Sequence, residues 1–185
     1  YYASVIPHLP LQAPKKWVDY YVEKFGNEKP YYPAYAYYPN RYPKATYAAM
    51  ISYLDEIVGS LTQKLKEINQ FENTIIMFTS DNGVTYLDQV DSGFFNSSAM
   101  FSDDIDMVKQ SLYEGGIRVP SFVTWPRKIK EGSFSNHISS TQDFYATILD
   151  LFKIKKPNHI TGLSFLPTLL GKKQNKHEYL YWETN

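Results

Sequence analysis

Thr74-Ile75-Ile76-Met77-Phe78-Thr79-Ser80-Asp81-Asn82-Gly83 is the stretch on which the fold of this chain turns. Six residues in a row are apolar or β-branched, with no polar alternation. That pattern suits a strand covered on both faces, as in a parallel sheet. Ser80-Asp81-Asn82-Gly83 then stops it, because Asp bonds its own backbone and Asn and Gly tolerate left-handed turns. Upstream, Lys44 to Asn69 is helical in period. Tyr47, Met50, Ile51, Leu54, Ile57, Val58, Leu61 and Leu65 recur at three- and four-residue steps and make one apolar face. A long helix feeding a buried strand is the rhythm of an α/β fold. In open sheets of that kind ligands collect beyond the carboxyl ends of the strands, which is where Asp81 and Asn82 fall.

The same reading extends in both directions. Tyr1 to Ile6 has the composition of a short strand, and the proline-rich Pro7-His8-Leu9-Pro10-Leu11-Gln12-Ala13-Pro14 after it is an extended loop. Lys15 to Phe25 is a short helix. Tyr31 to Pro43 is a tyrosine- and proline-rich loop, either a stiff surface segment packed on the domain or a platform for stacking a sugar. Val84 to Val108 has no period and reads as a long exposed loop of functional type. Tyr113-Glu114-Gly115-Gly116-Ile117-Arg118-Val119-Pro120 turns tightly into a second buried strand, Ser121 to Trp125. A short strand is expected near His137 to Ser140. Thr141 is placed to cap a helix with Asp143 in its first turn and Phe144, Ile148, Leu149 and Phe152 as its stripe. Gly162 to Leu170 is a turn or short helix, and Glu178 to Glu183 reads as a last strand.

Composition narrows the function. The chain has 185 residues, with 19 Lys and Arg against 19 Asp and Glu. A formal net charge of zero gives no global reason to expect nucleic acid or an anionic membrane as partner, so any anion binding must be local. The absence of cysteine removes disulfides, thiolate zinc sites and a cysteine nucleophile from this stretch. No apolar run is long enough for a membrane-spanning helix.

Four residues carry the candidate chemistry. Asp81 and Asn82 offer hard oxygen ligands suited to Ca²⁺ or Mg²⁺, although Asp-Asn-Gly is also an ordinary turn sequence. Two such ligands do not fill a calcium shell of roughly six to eight oxygens, so further carboxylates must come from elsewhere. Lys109 is either a point charge for a tetrahedral anion or a solvated surface lysine. His8, on its proline-stiffened loop, is placed to give a hydrogen bond or a proton, or simply to hold the loop. His137, His159 and His177 lack metal-binding spacing and read as non-catalytic.

Taken in order, the chain resembles a type I sulfatase of the arylsulfatase and glycosaminoglycan-sulfatase kind, within the alkaline phosphatase superfamily. The resemblance rests on Pro7 to Pro14, on Tyr47-Ala48-Ala49-Met50-Ile51 with Leu54-Asp55 and Val58-Gly59, and on Ile75 to Gly83. It continues through Lys109 with Tyr113 to Pro120, Asp143 to Leu151, and Gly162-Leu163-Ser164-Phe165-Leu166-Pro167. It implies an alkaline-phosphatase-like α/β sandwich with a largely parallel central sheet flanked by helices, incomplete in this chain. Residues 1–170 would be the C-terminal half of the catalytic domain and 171–185 the start of a small α+β subdomain.

The resemblance also implies roles. Asp81 and Asn82 would ligate Ca²⁺, with Mg²⁺ the second choice. Lys109 would contact the sulfate, and His8 would bind the sulfate or the ester oxygen and assist the leaving group. The family's nucleophile, a formylglycine made from a Cys or Ser in a Cys/Ser-x-Pro/Ala-x-Arg motif, has no counterpart here, and neither does the paired aspartate of the family's first strand. Asp103-Asp104 lies in a polar loop and is not that pair. The expectation is therefore a chain silent alone, whose partners are its own N-terminal segment and a sulfated glycan or aryl sulfate, in a periplasmic or secreted setting. Two other readings compete: a phosphodiesterase or phosphonate hydrolase of the same superfamily, and a non-catalytic glycan-binding protein using the tyrosine-rich loop.

Overall fold

A computed structural model describes residues 1–33, 37–87, 89–98, 100–102 and 104–184, excluding the side chain of residue 105. The middle of the tyrosine-rich loop (34–36) and positions 88, 99 and 103 of the long loop lie outside the described residues. Two compact units emerge, one built from residues 1–69 and 83–117, the other from 70–82 and 118–185.

The first unit is built on two helices, α1 (Lys15–Phe25) and α2 (Pro43–Glu67). Pro43 opens α2, where its missing N–H costs nothing. Tyr42 supplies no side-chain cap. The Glu28 carboxylate does so from a distance, accepting from the Lys44 N–H at 2.7 Å and the Ala45 N–H at 3.1 Å. This satisfies two orphan donors and sets a negative charge at the positive end of the helix. Helix α1 leans on α2 mainly through polar contacts: the Trp17 indole N–H and the Lys16 ammonium each donate to Glu56 at 2.6 Å, and Tyr21 and Ser52 hydroxyls bond at 2.8 Å. The Lys16 hydrogen bond, then that of Trp17, holds the Glu56 carboxyl below its usual range. Gly26 ends α1 with φ +74.

The core of this unit is Leu9, Leu11, Tyr47, Met50 and Val90, with Ile6, Ala13, Leu87 and Phe95 packed against it. Only the first turns of α2 are buried. Farther along the predicted apolar face, Ile51 is 45% and Leu61 49% exposed. The stretch read as a long exposed loop is more ordered than expected. It holds a one-turn helix α3 (Ser92–Phe95), started by the Asp91 side chain accepting from the Phe94 N–H, and a 3₁₀ turn at Ile105–Met107. Gln89, Val90 and Val108 within it are fully buried. Lys44 pairs with Asp91 at 2.9 Å, and that bond lowers the Asp91 pKa. The last element is the short helix α4 (Glu114–Ile117).

The second unit contains both strands, β1 (Ile76–Thr79) and β2 (Ser121–Thr124). Both occur where the sequence places them, but they pair antiparallel, with Ile76 opposite Thr124 and Thr79 opposite Ser121. Neither is covered on both faces: the paired Phe78 and Phe122 are 41% and 64% exposed. The three other expected strands, at 1–6, 137–140 and 178–183, do not form. Helix α5 (Thr141–Leu151) forms as expected, with the cap moved one residue back to Ser140.

Asp143 is fully buried at the start of α5 and anchors the segments at 140, 163 and 177. Its carboxylate accepts from the Ser140 N–H at 2.8 Å and the Leu163 N–H at 2.7 Å. His177 Nε2 lies 2.9 Å from both of its oxygens. The Thr147 hydroxyl receives the Phe165 N–H at 3.0 Å, so the chain entering helix α6 (Leu166–Leu169) is stitched to α5. Gly162 is required in that seam, since a Cβ there would stand 2.4 Å from the Gln142 carbonyl oxygen.

Candidate active site

Strand β1 delivers Asp81 and Asn82. Its last residue, Thr79, turns its hydroxyl toward the carbonyls of Ser80 and Pro120, at 3.2 and 3.3 Å. The Ser80 hydroxyl donates to the Asn82 carbonyl at 2.9 Å, and the Asn82 N–H donates to Asp81 Oδ1 at 3.0 Å. These bonds fold Ser80–Asn82 into a tight turn beyond the strand and leave Asp81 exposed. The Ser80 hydroxyl holds this turn, a contact the sequence reading did not single out.

Gly83 comes next, in the first unit. Its N–H donates to the Gly116 carbonyl at 2.9 Å, and the Lys109 N–H donates to the Val84 carbonyl at 2.9 Å. The backbones approach so closely that a Cβ on Gly83 would fall 1.7 Å from the Gly115 oxygen, and one on Gly115 would fall 2.4 Å from the Met107 oxygen. The two-glycine turn therefore exists to let three backbone segments meet. It fixes the half-buried Lys109 against Val84, with Val108 buried beneath it. The signal in the sequence was the glycine pair itself.

His8 stands exposed on the loop whose neighbours Leu9 and Leu11 are core residues. Its N–H donates to the Val5 carbonyl at 2.7 Å. Its ring Nδ1 is 2.9 Å from the Leu9 carbonyl. A carbonyl only accepts, so Nδ1 carries the proton and Nε2 is left as the accepting nitrogen. Of the four predicted residues, His8 and Lys109 thus belong to the first unit, and Asp81 and Asn82 adjoin each other in the second.

The donor set can be tested against a divalent cation. Asp81 and Asn82 are hard oxygen donors, one of them a carboxylate, which suits Ca²⁺. Among the described residues no group of three or more His, Cys, Asp or Glu gathers to hold a metal. The pair fits as part of a shell.

Comparison with known proteins decides the family. The sulfatase family's sequence profile matches residues 1–154. The chain belongs to the sulfatase family. An N-acetylgalactosamine-6-sulfatase of Mus musculus is 30% identical over 144 residues, covering 77% of this sulfatase chain and 26% of the relative. An uncharacterised sulfatase of Escherichia coli K12 is 32% identical over 188 residues, covering 100% of the chain and 29% of the relative. A structure solved in complex with its substrate, D-glucosamine-2-N,6-O-disulfate, superposes with a TM-score of 0.56 at 29% identity, covering 75% of this chain and 26% of that one. The fold is accordingly the α/β, alkaline-phosphatase-like one of the sulfatases, here in part. The chain spans little more than a quarter of the length of the relatives it matches.

Proposed function

We propose that this sulfatase chain supplies the metal-binding and anion-contacting side of a sulfuric ester hydrolase acting on a sulfated sugar. What supports this most is the Asp81–Asn82 pair, held by backbone and Ser80 bonds just beyond β1, in a chain whose family match runs from residue 1 to 154. Asp81 and Asn82 would hold Ca²⁺ together with ligands from outside this chain. That cation would draw charge from the sulfuryl oxygens, and a formylglycine in a more N-terminal segment would supply the attacking oxygen.

This chain's own residues have two tasks in that reaction. The Lys109 ammonium, carried on a backbone pinned to Val84, offers a compact positive charge where the sulfuryl oxygens gain negative charge. His8, with Nδ1–H committed to the Leu9 carbonyl, presents Nε2 to the ester oxygen, and in its protonated form gives that oxygen the proton it needs as it leaves. Without the nucleophile's segment the chain is inactive. The 6-sulfated amino sugars named for its relatives are the first substrates to try. A periplasmic or secreted setting suits such substrates.

The test is made in the full-length protein that carries this chain. Asp81→Ala should abolish calcium binding by calorimetry and sulfate release from N-acetylglucosamine 6-sulfate. Unchanged calcium affinity would remove Asp81 from the metal site. A wild-type preference for phosphodiesters over sulfate esters would overturn the assigned reaction.

A further inference from the structure

Charge is not spread evenly over this neutral chain. The unit formed by 70–82 and 118–185 carries ten Lys and Arg against seven Asp and Glu. Much of that excess sits in residues 151–176, which hold six lysines (153, 155, 156, 172, 173 and 176) and no Asp or Glu. All six are exposed, and among the described residues none forms an ion pair. Six exposed cations in a segment free of acidic residues raise the local positive potential.

The same segment and helix α5 together enclose a cleft of ≈ 400 Å³, within the range that binds small molecules or a sugar or two. Lys156 and Lys173 line it together with Asn175 and Asp150, over an apolar floor that includes Ala146 and Leu163. The walls are held in place. Lys156 Nζ donates to the Gly162 carbonyl at 2.8 Å, and the Ser164 hydroxyl donates to Asp150 at 2.6 Å. Gln174 spans the rim, accepting from the Thr168 N–H at 3.1 Å and donating to the Ser164 carbonyl at 2.9 Å.

We propose that this lysine-rimmed cleft between α5, α6 and the turn after α6 is a binding site for a sulfated glycan chain. Two lysines match sulfate groups as compact point charges. A single carboxylate and an amide match sugar hydroxyls, and the apolar floor matches a ring face. Aromatic rings are absent from the lining, so bases have nothing to stack on and nucleic acid fits less well. The choice of a sulfated glycan rests on the reading of the chain as part of a sulfated-sugar hydrolase. The site itself would hold a segment of a polymeric substrate rather than the reacting ester.

The experiment is direct binding to the full-length protein, by surface plasmon resonance, of a heparin-derived hexasaccharide. An unsulfated hyaluronan hexasaccharide, a single-stranded DNA oligonucleotide and phosphatidylserine vesicles are measured beside it. Lys173→Gln, whose side chain makes no hydrogen bond to a described residue, and the double variant Lys156→Gln/Lys173→Gln are compared with wild type. The double variant should lose about ten-fold in affinity for the heparin hexasaccharide, the sum of two exposed charge contacts, and Lys173→Gln about three-fold. Turnover of a monosaccharide sulfate should not change. Unchanged heparin affinity in both variants overturns the proposal. So does hyaluronan, DNA or vesicle binding as tight as heparin binding with the same lysine dependence. Binding is read without turnover, so an intact protein that binds heparin through these lysines but hydrolyses no sulfate ester would sink the hydrolase reading alone.

Discussion

Gly83→Ala is the most demanding test of how the site is assembled. The added methyl would lie 1.7 Å from the Gly115 oxygen, 2.8 Å from the Gly115 carbonyl carbon and 3.2 Å from the Gly116 Cα. All three are backbone atoms, so no side chain can swing aside. Relief requires the backbone of 83 or of 115–116 to move, which breaks the 2.9 Å bond from the Gly83 N–H to the Gly116 carbonyl. Overpacking costs about 1–3 kcal/mol and the lost bond about 1 kcal/mol. A total of about 3 kcal/mol lowers Tm by roughly 2–3 °C in a protein as long as the relatives, of which the matched stretch is 26–29%. Gly59→Ala is the control. Gly59 lies within α2 with nothing inside 4 Å of its added Cβ, so alanine should stabilise the helix by about 0.5–1 kcal/mol. Thermal melts of both variants in the full-length protein give the answer. A Gly83→Ala protein melting within a degree of wild type would refute the claim that these glycines allow the backbones to meet.

Three further outcomes are expected. Lys109→Ala should lower kcat for sulfate release by about 10²–10³, and near-normal turnover would take Lys109 out of the site. Glu28→Ala should cost about 1 kcal/mol by chemical denaturation, because two N-terminal amides of α2 lose their acceptor. Glu28→Gln, which keeps an acceptor oxygen, should cost less, and equal losses would refute the capping role. His137 gives a pH dependence. Burial lowers its pKa; the Asp143 charge opposes this, and the His177 and Lys176 charges add to it. Both ring nitrogens are buried without a hydrogen bond to a described residue. A depressed histidine contributes stability above its unfolded pKa, about 6.5, and loses it as pH falls. His137→Phe should therefore narrow the difference in Tm between pH 8 and pH 5, and an undiminished acid loss would place its cause elsewhere.

Helices were legible where one face repeats. The early stripe of α2 names the buried Tyr47 and Met50, but of the stripe read for α5 only Leu149 is buried, while Ile148 and Phe152 are 39% and 67% exposed. Strand composition was legible at 76–79 and 121–124, but pairing direction was not, because a continuous apolar run does not specify its neighbour. The same limit explains 178–183: Tyr179-Leu180-Tyr181-Trp182 has the right residues, yet a strand exists only with a ladder partner, and none is paired with it here. Helix α3 escaped notice because a single turn has no period; its one signal was Asp91 three residues before Phe94. Within the site, the turn after β1 could be read from Ser80-Asp81-Asn82-Gly83. Lys109 could not be told from any other lysine by its neighbours, and only the ordered resemblance singled it out. The bond between His177 and Asp143 joins residues 34 apart and leaves no local trace.

The open β1–β2 ribbon has a practical consequence for anyone handling this chain. Phe78 and Phe122 sit side by side on it, with ring centroids 6.5 Å apart, and its outer edges carry no ladder partner among the described residues. Unpaired strand edges flanked by exposed aromatic rings are templates for adding further strands. Produced by itself, the chain should precipitate as concentration rises, and Phe122→Lys, which sets a charge on the exposed ribbon, is the simplest way to keep it in solution.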